Sequence, residues 1–141
     1  MPPQAIQKNM KAENLKNNRE TLIGYFEKHP EIEVAYIFGS VAQGKITPLS
    51  DIDIAILVDN QKIDENVYRY GYKAEILSDL IKLLKTNAID LVILNEANTL
   101  LRHRILYYGK ILHSKNEKKR IVFQTTTISK YNDYKQIMRC H

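Results

Sequence analysis

The stretch Asp51-Ile-Asp-Ile-Ala-Ile-Leu-Val58 constrains the fold more tightly than any other part of the chain. Ile54 to Val58 is apolar without interruption, the pattern of a strand covered on both faces rather than of one with a face in water. Such a strand belongs in the middle of a sheet with helices packed above and below it, which predicts an α/β fold.

The remaining pattern supplies the partners. Leu15, Leu22, Ile23 and Phe26 recur at helical spacing from about Ala12 to Lys28, and His29-Pro30 stops that helix. Val34 to Phe38 is a short β-branched and aromatic strand running into Gly39. Ser40 to Lys45 predicts a short helical turn, and Ile46 to Ser50, broken by Pro48, a loop. After the Asp51–Val58 strand, Tyr68, Tyr72, Ile76, Leu80 and Leu83 or Leu84 form, at spacings of three and four, the stripe of a long helix over Asn66–Lys85, weakened by Gly71. A third strand follows at Ile89–Leu94. That helix is a crossover, which alone fixes neither the direction nor the adjacency of the two strands it joins. Asn98–Tyr108 reads as helix, Lys110–His113 as a short strand after the Gly109 stop, and Glu117–Met138 as helix. Within the last, Thr125 to Ile128 is β-branched and a poor helix former, so an irregular stretch or one packed on a partner is expected there.

The 141 residues suit one domain spanning 1–141, with residues 1–10 disordered and 115–141 a basic helical segment. No apolar run approaches the roughly 20 residues of a membrane span, and the N-terminal stretch has no apolar core of a signal peptide, so a cytoplasmic protein away from membranes is expected. Cys140 is the only cysteine, which excludes an intrachain disulfide and a cysteine-based zinc site. The net charge of +5 is concentrated late in the chain, where ten Lys and Arg from Arg102 to Arg139 face only Glu117 and Asp133. A solvated helix surface, an acidic protein partner, a nucleotide or an RNA would each account for it.

Asp51 and Asp53 stand two apart on a strand and so point to one face, where two carboxylates repel unless a proton or a cation intervenes. A hard divalent cation such as Mg²⁺ resolves the conflict, since it prefers carboxylate oxygen and completes its shell with substrate phosphates. Asp90, near the start of the third strand, joins the pair if the strands are neighbours, and three carboxylates would hold two metals for an in-line phosphoryl displacement. Gly39 lets a ligand approach the backbone, and Ser40 at a helix-opening turn offers N–H groups and a hydroxyl to a phosphate.

The joint pattern Gly39-Ser40, ten residues, Asp51-x-Asp53, apolar strand and later Asp90 resembles the signature of the DNA polymerase beta-type nucleotidyltransferase superfamily. The short chain resembles its minimal nucleotidyltransferase branch, similar to the MntA-type antitoxins of HEPN/MNT toxin–antitoxin systems. The resemblance implies a mixed sheet packed with helices, and transfer of AMP from ATP with release of pyrophosphate. It implies that Gly39 and Ser40 hold the triphosphate, that Asp51, Asp53 and Asp90 bind two Mg²⁺ ions, and that Asp90 helps deprotonate the acceptor. Gln43 and Lys45 are phosphate neighbours or, more simply, solvated loop residues. The implied partner is a HEPN ribonuclease toxin from a neighbouring gene, AMPylated on a tyrosine within a hetero-oligomer. A binding-only antitoxin and an aminoglycoside-type nucleotidyltransferase are the alternatives, and direct nucleic-acid binding is not expected. Tyr107, Tyr108, Tyr131 and Tyr134 would suit docking, with core packing the first reading for Tyr107 and Tyr108. A HEPN nuclease reading fails because Arg104 and His113 are too far apart, with Gly109 between them; His29, His103 and His141 have no spacing suited to metal or base work.

Overall fold

A computed structural model of the chain describes residues 18–39, 51–68 and 70–139. Helix α1, of which residues 18–27 are described, is followed by β1 (Ile32–Phe38) and β2 (Ile52–Val58). Then come α2 (Tyr72–Leu84), β3 (Ile89–Ile93), α3 (Thr99–Tyr108), β4 (Lys110–Ser114) and α4 (Glu117–Arg139). The strands form one sheet in the order β3-β2-β1-β4. The β1–β2 and β1–β4 pairs are antiparallel and β2–β3 is parallel, so the sheet is mixed.

The apolar run of β2 does what its composition requires. Ile54, Ala55 and Ile56 are wholly buried in an interior strand, and alternate side chains feed two cores. Ile54 and Ile56 face Leu22 and Phe26 of α1 and Ile76 and Leu80 of α2. Ala55 faces the opposite way, toward Ile105, with Leu57, Leu101 and Phe123 at the edges of that second cluster. The sheet therefore carries α1 and α2 on one face and α3 and α4 on the other. Helix α2 is the crossover that the parallel β2–β3 pair needs.

Element ends follow local chemistry. The helix expected from Asn66 begins only at Tyr72. Two 3₁₀ turns, Asn60–Lys62 and Glu65–Val67, precede it, each capped by an aspartate (Asp59, Asp64) that accepts from the second backbone N–H beyond it. Gly71 then turns the chain at φ 94°, a conformation that a helix cannot include. Asn98 caps α3 by accepting from the Leu101 N–H. The Thr125–Ile128 stretch is regular helix, contrary to the irregularity expected of it. The Thr125 hydroxyl donates back to the Ile121 and Val122 carbonyls, and Thr127 is buried. The turn expected at Ser40–Lys45, the loop at Ile46–Ser50 and the first turns of the Ala12–Lys28 helix lie outside the described residues, as do residues 1–10 and His141.

Much of the basic C-terminal region is committed to structure rather than to ligands. Arg102 donates to the carbonyls of Leu94 and Asn95 and lies over the Phe123 ring. Lys119 pairs with the buried Glu33 at 3.1 Å and with Asp59 at 3.5 Å, which staples the start of α4 to the sheet. Arg120 pairs with Glu117 one turn back. The core assignment predicts that Ile56→Ala costs on the order of 3 kcal/mol in chemical denaturation, whereas Ile121→Ala, on the exposed side of α4, costs below about 0.5 kcal/mol.

Candidate active site

The sheet's topology gathers the acidic residues at one end. In the parallel pair Asp53 lies directly in register with Asp90, one strand spacing away, roughly 4.8 Å between backbones. On its other side Asp53 is in register with Phe38, the last residue of β1. Side chains at matched positions share a face, and that face is the one carrying α3 and α4, since Ala55, Leu57 and Val92 on the same strands pack there. Asp51 stands two residues before Asp53 on the lead-in to β2 and is exposed; Asp90 is exposed and Asp53 half-buried.

The half-burial of Asp53 has an electrostatic consequence. Its carboxyl is pushed above the ordinary carboxylate value, first by desolvation, then by the charge of Asp90 and then by that of Asp51. Among the described residues no three acidic, histidine or cysteine side chains close into a ready metal-binding cluster. Like charges with nothing between them gain by standing apart. The donor set nevertheless fits a hard divalent cation: it is all carboxylate oxygen, it is drawn from adjacent strand ends, and its central member is destabilised by its neighbours in a way that a bound cation relieves.

Gly39 closes the other side. Its φ is +75°, and a Cβ built there would collide with Oδ2 of Asp53. Only glycine lets the chain leave β1 over the carboxylate, so the Gly39 and Asp53 of the sequence motif are physically one feature. Ser40, Gln43 and Lys45 fall outside the described residues.

Two contributors were not anticipated from the sequence. Gly109 does more than stop α3: a Cβ there would strike the Ile105 carbonyl and sit within 3.4 Å of the Phe38 Cβ, so the end of α3 is pressed onto the end of β1. Asn95 caps the far end of β2, its amide accepting from the Val58 N–H and donating to the Val58 carbonyl at 2.9 and 2.8 Å, like one more strand residue. A glycine after a helix and an asparagine after a strand are such common turn signals that neither stands out. Tyr107 and Tyr108 depart from the core packing expected of them. They are 72% and 53% exposed, because Ile105 takes the buried position of α3 while Tyr107 lies out along the helix against His103.

Comparison with known proteins agrees with this fold. The family model described as polymerase beta, nucleotidyltransferase matches residues 20–118. The chain is similar to the protein adenylyltransferase MntA of Aphanizomenon flos-aquae, 28% identical over 122 residues covering 84% of this chain and 81% of that protein. It is 33% identical to the protein adenylyltransferase MntA of Shewanella oneidensis over 102 residues, 72% of this chain and 68% of the relative. Among solved structures it resembles a toxin–antitoxin with AMP-PNP, with a TM-score of 0.70 and 29% identity over 87% of this chain and 94% of that one. It also resembles the structure of the tri-AMPylated Shewanella oneidensis HEPN toxin in complex with its MNT antitoxin, with a TM-score of 0.66 and 25% identity over 89% and 92% of the two chains.

The Gly39–Asp53 contact predicts a coupling that a double-mutant cycle reads. Gly39→Ala costs the left-handed backbone penalty of about 1–2 kcal/mol plus the collision, and in an Asp53→Ala background the collision disappears. In urea denaturation the double variant is expected to be less destabilised than the sum of the two single variants, by about 1 kcal/mol or more; additive effects would show that the two residues do not meet.

Proposed function

Since the chain belongs to the polymerase beta nucleotidyltransferase family and is a protein adenylyltransferase by its relatives, we propose that it transfers AMP from ATP to a tyrosine hydroxyl of a HEPN ribonuclease toxin, and so acts as that toxin's antitoxin. The observation that carries the reading is the register of Asp53 against Asp90 behind the Gly39 turn, a geometry suited to a triphosphate and its cations. The complexes of similar chains with toxins, one of them tri-AMPylated and another with AMP-PNP, support the acceptor class and the nucleotide.

In this reading Gly39 and Ser40 cradle the triphosphate, the missing Cβ at residue 39 leaving room for the Asp53 carboxylate beside it. Asp51, Asp53 and Asp90 are the residues that would hold Mg²⁺, which when bound neutralises phosphate charge and favours ionisation of an attacking hydroxyl. The tyrosine oxygen of the acceptor attacks the α-phosphorus, the bond from that phosphorus to the bridging oxygen of the β-phosphate breaks, and pyrophosphate departs with that oxygen. Asp90, exposed at the strand end, takes the hydroxyl proton. Among the described residues no helix is long and apolar enough to cross a membrane, and a cytoplasmic location suits an ATP-using antitoxin.

Intact mass spectrometry tests the reading. The HEPN toxin encoded beside this chain, incubated with it, ATP and Mg²⁺, is expected to gain one or more AMP units. Asp51→Ala and Asp53→Ala are expected to lower the transfer rate by a factor of 1,000 or more while retaining the circular dichroism of the parent. Full transfer by both variants would remove these carboxylates from the chemistry.

A further inference from the structure

The packing face of α4 runs on past the domain that it packs against. Phe123, Thr127 and Tyr131 follow one another at intervals of four and bind the helix to the second core, with the Tyr131 ring stacked on His103 of α3 at 3.5 Å. The same stripe continues at intervals of three and four through Tyr134 and Met138, whose side chains stand exposed. Every residue from Asn132 to Arg139 is exposed, an overhang of roughly 12 Å, and Ile137 and Met138 are 59% and 58% exposed. A helix end whose core-facing stripe carries apolar side chains into water lacks a counterpart among the described residues.

We propose that this overhang, together with the adjoining Tyr107, is the surface that docks the acceptor toxin through an apolar, acidic-rimmed patch on that toxin. The proposal rests on the adenylyltransferase reading and names where its protein substrate is held. Charge selects the occupant. Helix α4 carries six Lys and Arg against Glu117 and Asp133, and on the overhang Lys135 and Arg139 flank the stripe with only Asp133 opposed to them. Two copies of such a helix repel, whereas an acidic surface is drawn to it. Continuity with the catalytic end gives the surface a purpose. His103 lies between the rings of Tyr131 and Tyr107, and Tyr107 touches Tyr108, which precedes the Gly109 pressed onto Phe38 beside Asp53. These contacts lead from the overhang to the end of the sheet that carries the carboxylates, so the overhang and that end share one face. Binding energy gained away from the reacting atoms would hold the acceptor in place, so the small catalytic core needs no pocket of its own for it.

The test uses the full chain and the HEPN toxin encoded beside it, with Tyr134→Ala/Met138→Ala and the charge-reversing Lys135→Glu/Arg139→Glu. Toxin affinity is expected to weaken at least tenfold in each, with the KM for toxin rising in step, kcat at saturating toxin within about twofold, and AMP-PNP binding unchanged. The charge-reversed variant should also show a shallower salt dependence. Variants that bind and modify toxin like the parent would overturn the docking surface while leaving the adenylyltransferase reading standing. A parent chain that binds toxin through these residues yet transfers no AMP would keep the surface and remove the catalytic reading. A parent that does not bind toxin, or an overhang shown by light scattering to join two copies of the chain or by gel shift to bind RNA instead, would overturn the proposal.

Discussion

The direct register of Asp53 against Asp90 is the constraint around which the molecule is organised. Like charges opposite one another on paired strands weaken a sheet. Here the arrangement persists because the strands bearing them are fixed from elsewhere, by Ile54 and Ile56 on one face and Ala55 on the other. The α2 crossover joins β2 and β3, which lie parallel and side by side, and the packing of α2 on Ile54 and Ile56 leaves little freedom for register to slip. The apolar run that begins just after Asp53 is thus the anchor that allows unfavourable charge to be held at its mouth.

The Gly39 turn and the Gly109 contact complete this logic from the other strands. Each glycine stands where a side chain would collide, one with the Asp53 carboxylate and the other with the end of α3. Together they bring β1, β2 and α3 to a common end of the sheet. The Asp53 and Asp90 carboxylates are thereby held at one end of the sheet, and the two helices over that face, α3 and α4, supply the surface nearest to them.

How much of this could be read in the chain depends on the range of the interactions involved. Strand identity was legible because the Ile54–Val58 run and the Ile89–Leu94 run are strong local signals, whereas the mixed sheet followed only from the resemblance carried by the Gly39-Ser40 and Asp51-x-Asp53 motif. The pairing of Asp51 with Asp53 followed from strand alternation alone. The neighbourhood of Asp90 was not decided locally, because a crossover helix leaves strand order open, and only the folded sheet settles it. The late start of α2 was hidden because Tyr68 fits the helical spacing although Gly71 breaks the helix behind it. Composition made the C-terminal region look like a uniform basic surface. Packing divides it into Arg102, Lys119 and Arg120, which hold the fold, and the overhang beyond Tyr131, which does not.

The fold holds Asp53 against its own electrostatic preference and gives up stability there, at the position proposed to bind the cations. Its carboxyl is raised above the ordinary value near 3.8. Between that value and the raised one, folded chain keeps a proton that unfolded chain releases, so stability falls as pH rises through the window and stays lowered above it. The most direct measurement is thermal denaturation of the parent and Asp53→Asn in metal-free buffer at neutral pH and near pH 3.5. Asp53→Asn is expected to raise the melting temperature at neutral pH, with the difference shrinking in acid. A variant that melts at or below the parent at neutral pH would contradict it.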